Sequence, residues 1–101
     1  MASGDLVLVR SFPDVPLARR VYQEKEDFTL ICLEEEYTLW RAHGIQPFVA
    51  PCPRERIYEY NETLFLKMRK LVDEVGCDGI ELKNFWELAE PHYSDSDKNA
   101  N

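Results

Sequence analysis

The spacing of apolar residues in the first third of the chain predicts three short elements. Residues 6–10 (LVLVR) form an apolar run with β-branched residues, which predicts a strand. Pro16 suits the first turn of a helix, so residues 16–23 (PLARRVYQ) are predicted to be a short helix. The run FTLIC at residues 28–32 fits either a strand or the buried start of the next helix, and its periodicity does not separate the two.

From residue 33 the apolar period becomes helical. Leu33, Tyr37 and Trp40 are spaced four and three apart, so they share one face of a predicted helix. Three consecutive glutamates, residues 34–36, lie at its N-terminal end, where negative charge suits the helix dipole. Gly44 follows the last turn and predicts its end.

The second half of the chain predicts two strands and two more helices. Residues 45–60 (IQPFVAPCPRERIYEY) read as a two-stranded wing, and Asn61 is a good cap for the long amphipathic helix that Gly76 ends. A last short helix, FWELAE, is predicted between Asn84 as its cap and Pro91.

Helix, two-stranded wing, helix and helix is the order of a winged-helix module. Residues 33–88 therefore predict an α+β fold, a small winged-helix domain with an added N-terminal strand. We expect a flexible N-terminus at residues 1–4, a single domain at residues 5–93 and a disordered tail at residues 94–101. Residues 5–31 are expected to supply either the first helix of the module or a separate interaction strand.

The charge of the chain argues against a surface for duplex DNA. The net charge is −7, and phosphate neutralisation needs clustered lysine and arginine. No stretch approaches the ~20 apolar residues of a membrane span, and the first residues do not have the order of a signal peptide. Three cysteines without paired spacing predict reduced thiols and a cytoplasmic location.

Candidate chemistry is sparse. His43 and His92 are isolated from any residue at a spacing that indicates a catalytic triad. No paired ligand motif predicts a metal site, and no glycine-rich loop predicts a phosphate site. We therefore expect a protein that is not an enzyme and that uses no cofactor and no metal.

Two segments resemble a known family. EEEYTLWRAHGI at residues 34–45 and the pair of alternating tyrosines with its acidic cap at residues 58–62 (YEYNE) are similar to the MerR-type winged helices. The resemblance is closest to their acidic offshoot, the CbpM-type modulators of DnaJ-like co-chaperones. DNA-binding members carry arginines where this chain has Thr38 and Tyr58, so the resemblance implies that nucleic acid is not the ligand. It also implies a J-domain protein with a basic helix as the partner.

The leading hypothesis is a protein-binding module, expected to be a chaperone modulator, that docks through its acidic helix. The predicted partner-binding residues are Glu34, Glu35, Thr38, Arg56 and Tyr58. Two alternatives stay open: a DNA-binding regulator or recombination accessory factor, and an assembly or scaffold protein in which the LVLVR strand pairs with a partner's sheet. The DNA alternative would use Arg54, Arg56, Lys67 and Lys70. The oligomeric state is left open.

Overall fold

A computed structural model describes residues 3–76 and 79–92 of the chain. It contains five strands, three α-helices and one 3₁₀ turn at Arg54–Arg56 between the last two strands. In chain order, the elements are β1 (Leu6–Ser11), β2 (Val15–Glu24), β3 (Phe28–Cys32), α1 (Glu34–His43), β4 (Ala50–Pro53), β5 (Ile57–Glu59), α2 (Glu62–Val75) and α3 (Ile80–Glu87).

The five strands form one antiparallel sheet that curls into a half-barrel. Its strand order is β4-β3-β2-β1-β5, so β4 and β5 lie at opposite edges. Only the 3₁₀ turn joins Pro53 to Ile57, and such a connection spans at most ~14 Å. Because five flat strands would place the outer two ~19 Å apart, the sheet must curl to bring its edges together.

The curled sheet has a core on each face. The inner, concave face is filled by residues from all five strands but no helix, whereas the outer face is covered by α2 and α3. The buried residues of the inner core are Val7, Val9, Val21, Ile31, Cys52 and Ile57. Those of the outer core are Leu8, Leu64, Met68, Leu82 and Trp86. β1 contributes to both cores because its successive side chains point to opposite faces.

The winged-helix prediction is wrong. Residues 16–23, predicted to be a helix, lie in β2, which pairs with β1 on one side and β3 on the other. These two ladders outweigh the local preference that Pro16 suggested, and Leu17 and Val21 point to the inner core with the period of a strand. The two predicted wing strands exist, but they do not pair with each other: β4 pairs with β3, and β5 pairs with β1.

Other local predictions are confirmed or corrected individually. The LVLVR strand is β1, and the ambiguous run FTLIC is β3. α1 ends at Gly44, which has a left-handed φ of 71°, as predicted. The Asn61 side chain accepts a hydrogen bond from the backbone N–H of Leu64 at 3.1 Å, which confirms it as the cap of α2. The last helix begins at Ile80, so Asn84 lies inside it and is not its cap.

The two edges of the sheet offer few free backbone donors. β4 carries Pro51 and Pro53, which have no N–H to offer a further strand. β5 is covered by residues 90–92, since Glu59 N–H donates to Glu90 and His92 N–H donates to Ile57. β1 is internal and paired on both sides.

The structure describes part of the N-terminal segment but not the predicted C-terminal tail. The tail predicted at residues 94–101 falls outside the described residues. Of the N-terminal segment predicted to be flexible, Ser3 and Gly4 are hydrogen bonded to β2, through the carbonyls of Tyr22 and Val21. Within the described ranges, no helix has both the length and the apolar character needed to cross a membrane.

Candidate functional site

α1 is inserted between two strands that need no such connection. β3 and β4 are antiparallel neighbours, paired from Phe28 opposite Pro53 to Ile31 opposite Ala50. Neighbours of this kind are usually joined by a hairpin of two to five residues. Here the chain instead runs through residues 33–49 and forms a helix before it returns to the next position of the ladder. Long connections in compact domains are commonly functional.

The inserted helix is fastened to the outer face of β2 by a few side chains. The rings of Trp40 and Tyr22 lie 4.7 Å apart, centroid to centroid. The carboxylate of Glu34 accepts a hydrogen bond from the Arg20 guanidinium at 2.6 Å, an ion pair that is largely exposed. Beneath the helix lies Cys32, whose pKa is raised by burial and further raised by the Glu36 carboxylate. These contacts orient α1 without making it part of either core.

The segment after α1 folds back along the helix. The backbone N–H of Phe48 donates to the Glu36 carboxylate at 2.8 Å, and the Gln46 amide donates to the Tyr22 hydroxyl at 3.1 Å. These bonds hold the return segment beside the helix and place Phe48 next to its acidic first turn.

The insertion presents apolar side chains to solvent. None of the residues of α1, all of which the structure describes, is buried. Phe48 is 78% exposed, the highest value among the apolar residues of the insertion. Leu39 lies four residues after Glu35, so the two share one helical face. The exposed large apolar residues of the insertion are Leu33, Leu39, Ile45 and Phe48. We call this set, with Glu35, the α1 surface.

The structure brings together three of the five predicted site residues. Glu34, Glu35 and Thr38 lie on α1, although the Thr38 hydroxyl donates to the Glu34 carbonyl at 3.0 Å. A recess of about 460 Å³ flanks Thr38 on the side of Arg20 and Arg41.

The other two predicted residues lie elsewhere. Arg56 belongs to the 3₁₀ turn and donates to the Arg10 carbonyl at 2.9 Å. The ring of Tyr58 packs against Trp86 in the outer core, 5.0 Å between centroids. The five residues therefore do not form one continuous site. The wing that was expected to bring them together is absent, because β4 and β5 lie at opposite edges of the sheet.

Sequence reasoning missed the apolar members of the α1 surface. Leu39 lies off the face shared by Leu33, Tyr37 and Trp40, which was an available signal of exposure. The return segment with Ile45 and Phe48 gives no such signal, because the sequence predicts a wing strand there.

A buried polar network ties the tip of the β1–β2 hairpin to α3. The indole N–H of Trp86 donates to the Asp14 carbonyl at 2.7 Å, and the Arg10 guanidinium bonds the Asp14 carboxylate while stacking over the Trp86 ring. Burial by itself would lower the pKa of Arg10, but hydrogen bonds to Tyr58 and Asp14 outweigh it and raise that pKa. These groups satisfy one another within the network, so we assign it to stability.

No metal centre is evident in residues 3–76 and 79–92, where no three His, Cys, Asp or Glu side chains are grouped to hold an ion. The imidazole of His92 lies 3.1 Å from the Glu59 carboxylate, at the edge of the sheet.

Comparison of the chain with protein-family models, curated proteins and solved structures found no match.

Proposed function

We propose that the chain is a non-enzymatic protein-binding module that docks a partner through the α1 surface. One observation carries this proposal: a helix inserted between adjacent strands buries none of its residues and exposes apolar side chains beside glutamates. Ordering the insertion costs conformational entropy. Because α1 buries none of its side chains, the insertion gains little packing energy to offset that cost. A binding role accounts for its presence.

The expected partner has a basic face with an apolar patch. Glu34 is engaged by Arg20 and Glu36 by the Phe48 amide. Among the residues that the structure describes, Glu35 has no such contact, so both of its carboxylate oxygens are available to a partner. Apolar contact with Leu39 and Phe48 would supply most of the affinity, since buried apolar anchors dominate interfaces. The negative charge of the helix start would steer a basic partner and make its association rate sensitive to salt.

A J-domain co-chaperone is one partner of this chemistry, because such proteins present a basic helix. Charge complementarity between that basic helix and the acidic start of α1 is the basis for this partner, since the chain does not have the winged-helix fold that the resemblance implied. The buried, free thiols of Cys32 and Cys52 are compatible with a cytoplasmic location, which we include in the proposal.

The test compares variants of the α1 surface with matched variants elsewhere. Glu35→Lys and Phe48→Ser alter the surface, whereas Glu74→Lys and Leu66→Ser place the same changes on exposed positions of α2. A purified J-domain protein is titrated against each by isothermal calorimetry, and partners captured from extract are compared by mass spectrometry. We expect Kd to rise about tenfold or more for the α1 variants and to stay unchanged for the α2 variants.

The two outcomes are distinct. If the α1 and α2 variants retain every captured partner equally, docking through the α1 surface is refuted. If capture is lost only in the α1 variants but the J-domain protein does not bind, the module is supported and the co-chaperone identity is rejected.

The alternative functions draw less support. In the DNA hypothesis, Arg54 should be available to phosphate, but its guanidinium lies 3.4 Å from the Glu24 carboxylate. A band-shift assay at low salt tests this hypothesis, and tight, salt-sensitive binding of duplex DNA would favour it over the protein-binding module. In the scaffold hypothesis, the LVLVR strand should be able to join a partner's sheet, yet β1 already has neighbours on both sides.

A further inference from the structure

The open side of the half-barrel is a groove of about 530 Å³. It lies on the inner face of the sheet, between β4 and the tip of the β1–β2 hairpin, so it is separate from α1. Phe12, on one wall of the groove, is 82% exposed. The apolar residues that line it are Val9, Phe12, Leu17, Ile31, Ala50, Pro51, Cys52 and Pro53.

Three arginines, Arg10, Arg19 and Arg56, line this groove, and the last two differ from the other five arginines of the chain. Four arginines have a carboxylate within 4 Å: Arg10, Arg20, Arg54 and Arg69. Arg41 lies over the ring of Trp40, 5.8 Å from its centroid. Within the described residues, Arg19 and Arg56 have neither kind of partner, and both line the groove.

The two guanidinium groups retain most of their donors. A guanidinium has five N–H donors. Arg19 donates to the Ala18 carbonyl at 2.8 Å and Arg56 to the Arg10 carbonyl at 2.9 Å, each through one nitrogen. Both side chains are half-buried. The chain has 19 acidic residues against 12 basic ones, so a shortage of carboxylates does not explain why these two have none.

The position of Arg19 follows from the pleat of β2. Leu17 and Val21 point to the inner core, and Arg19 lies between them with the same orientation. A cation on the concave face of a small sheet is costly unless water or an anion reaches it. Arg56 approaches from the 3₁₀ turn and lies close enough to the Cys52 thiol to offset part of the rise in its pKa that burial causes, while Glu55 adds to that rise.

We propose that this groove binds an acidic, partly apolar peptide segment of a partner protein. Arg19 and Arg56 would each bind a carboxylate, because a planar guanidinium can donate two parallel hydrogen bonds to the two carboxylate oxygens. The apolar floor and the Phe12 ring would take an aliphatic or aromatic side chain of the same segment. Because Pro51 and Pro53 deprive β4 of outward donors, the peptide is held by side-chain contacts and does not extend the sheet.

Charge density favours a peptide over a nucleic acid. A polyphosphate approaching a chain of net charge −7 meets repulsion from most of the surface. A short peptide with a few carboxylates needs only the local field of the two guanidinium groups, within a Debye length of ~8 Å at physiological salt.

The experiment begins with a synthetic random-peptide array probed with the full chain. We expect bound sequences to combine Asp or Glu with aliphatic or aromatic residues. The acidic peptide with the strongest signal is then labelled and titrated by fluorescence anisotropy, beside a copy in which Asn and Gln replace its acids. Arg19→Gln and Arg56→Gln should each weaken binding about tenfold, and the copy without acids should bind at least as weakly.

Two further variants separate binding from folding. Arg69→Gln removes an arginine from α2, which covers the outer face of the sheet and does not line the groove, and should leave the affinity unchanged. Phe12→Ala changes an exposed side chain and should weaken binding several-fold without altering the melting temperature. Glu35→Lys in the α1 surface should leave peptide binding unchanged, so this proposal and the proposed function can fail independently.

Four outcomes would overturn the proposal. The array retains no acidic peptide; the copy without acids binds equally well; or Arg69→Gln weakens binding as much as the groove variants. The fourth is a different occupant: single-stranded DNA that binds more tightly than the peptide and depends on Arg19, or self-association of the chain that Arg56→Gln abolishes.

Discussion

Removal of the α1 insertion should leave the half-barrel folded. The ladder between β3 and β4 ends with Ile31 opposite Ala50, so Cys32 and Val49 are the next pair in register. In the variant, residues 33–48 are replaced by Asn-Gly, so that Cys32, Asn, Gly and Val49 form a four-residue hairpin loop closed by the pair of Ile31 and Ala50. The loop joins β3 to β4 and keeps the register of both strands.

The insertion stabilises the rest of the domain through only a few interactions. The Tyr22 ring would no longer pack against Trp40, which is worth about 0.5–1.5 kcal/mol. Arg20 would have no ion pair with Glu34, whose side chain is 55% exposed, at a cost of at most about 1 kcal/mol. Cys32 would be uncovered, at about 1 kcal/mol. The helix itself contributes little, since a ten-residue helix without buried side chains is marginal in water.

The shorter connection offsets much of this cost. Replacing residues 33–48 by two residues halves the length of the connection about three times. Each halving lowers the entropic cost of closing the loop by about 0.6 kcal/mol. A destabilisation of about 2–3 kcal/mol is therefore reduced by about 2 kcal/mol. We expect the free energy of unfolding to change by less than about 2 kcal/mol, against the 5–15 kcal/mol typical of a domain.

Urea unfolding followed by circular dichroism measures this change. Thiol labelling at neutral pH, in a Cys77→Ser background, gives a second readout: Cys32 should become reactive in the variant, whereas Cys52 should stay protected on the inner face. An unfolded variant, or a destabilisation above about 4 kcal/mol, would refute the reasoning, because α1 would then be part of the core and its exposure would need no functional explanation.

Three further predictions concern stability. Trp86→Phe leaves the Asp14 carbonyl without its indole donor in a buried position and should cost about 1–3 kcal/mol in urea unfolding; a cost below about 0.5 kcal/mol would contradict the network. Asn61→Ala removes the α2 cap and should cost about 1 kcal/mol by the same assay, while Asn61→Ser should restore most of it. Burial raises the pKa of Cys32 and Cys52, so their contribution to stability is complete below the ordinary thiol pKa of about 8.5 and falls as pH rises above it. Unfolding measured across that range should show a shallower decline when both are replaced by alanine, and an unchanged slope would reject the assignment.

The helices after residue 33 could be predicted because their signals are local. Gly44 and Asn61 define ends of α1 and α2 through their own backbone and side chain, and no distant partner is needed. The amphipathic face of α2 supplied Leu64 and Met68 to the outer core as its spacing indicated. The prediction of Asn84 as a helix cap is wrong because a residue that caps well can also lie inside a helix, as Asn84 does in α3.

The sheet could not be predicted in the same way. β2 contains two adjacent arginines and a proline near its start, a composition that fits a short helix as well as a strand. Its state is decided by ladders to β1 and β3, which are tertiary contacts. The sequence predicts β4 and β5 as the two strands of one wing. The curl of the sheet, which no local pattern encodes, instead gives them different neighbours.

The same limit applies to the candidate sites, and β2 shows why. In a strand, Arg19 and Arg20 point to opposite faces. Arg20 pairs with Glu34 and fastens α1 to the outer face, whereas Arg19 lines the groove on the inner face. In the predicted helix both would have been solvated cations with no distinct roles. Because β2 separates the two sites, a protein on the α1 surface and a peptide in the groove approach from opposite sides, and neither must displace the other. A shift of one residue in the register of β2 would exchange the two arginines and abolish both sites together.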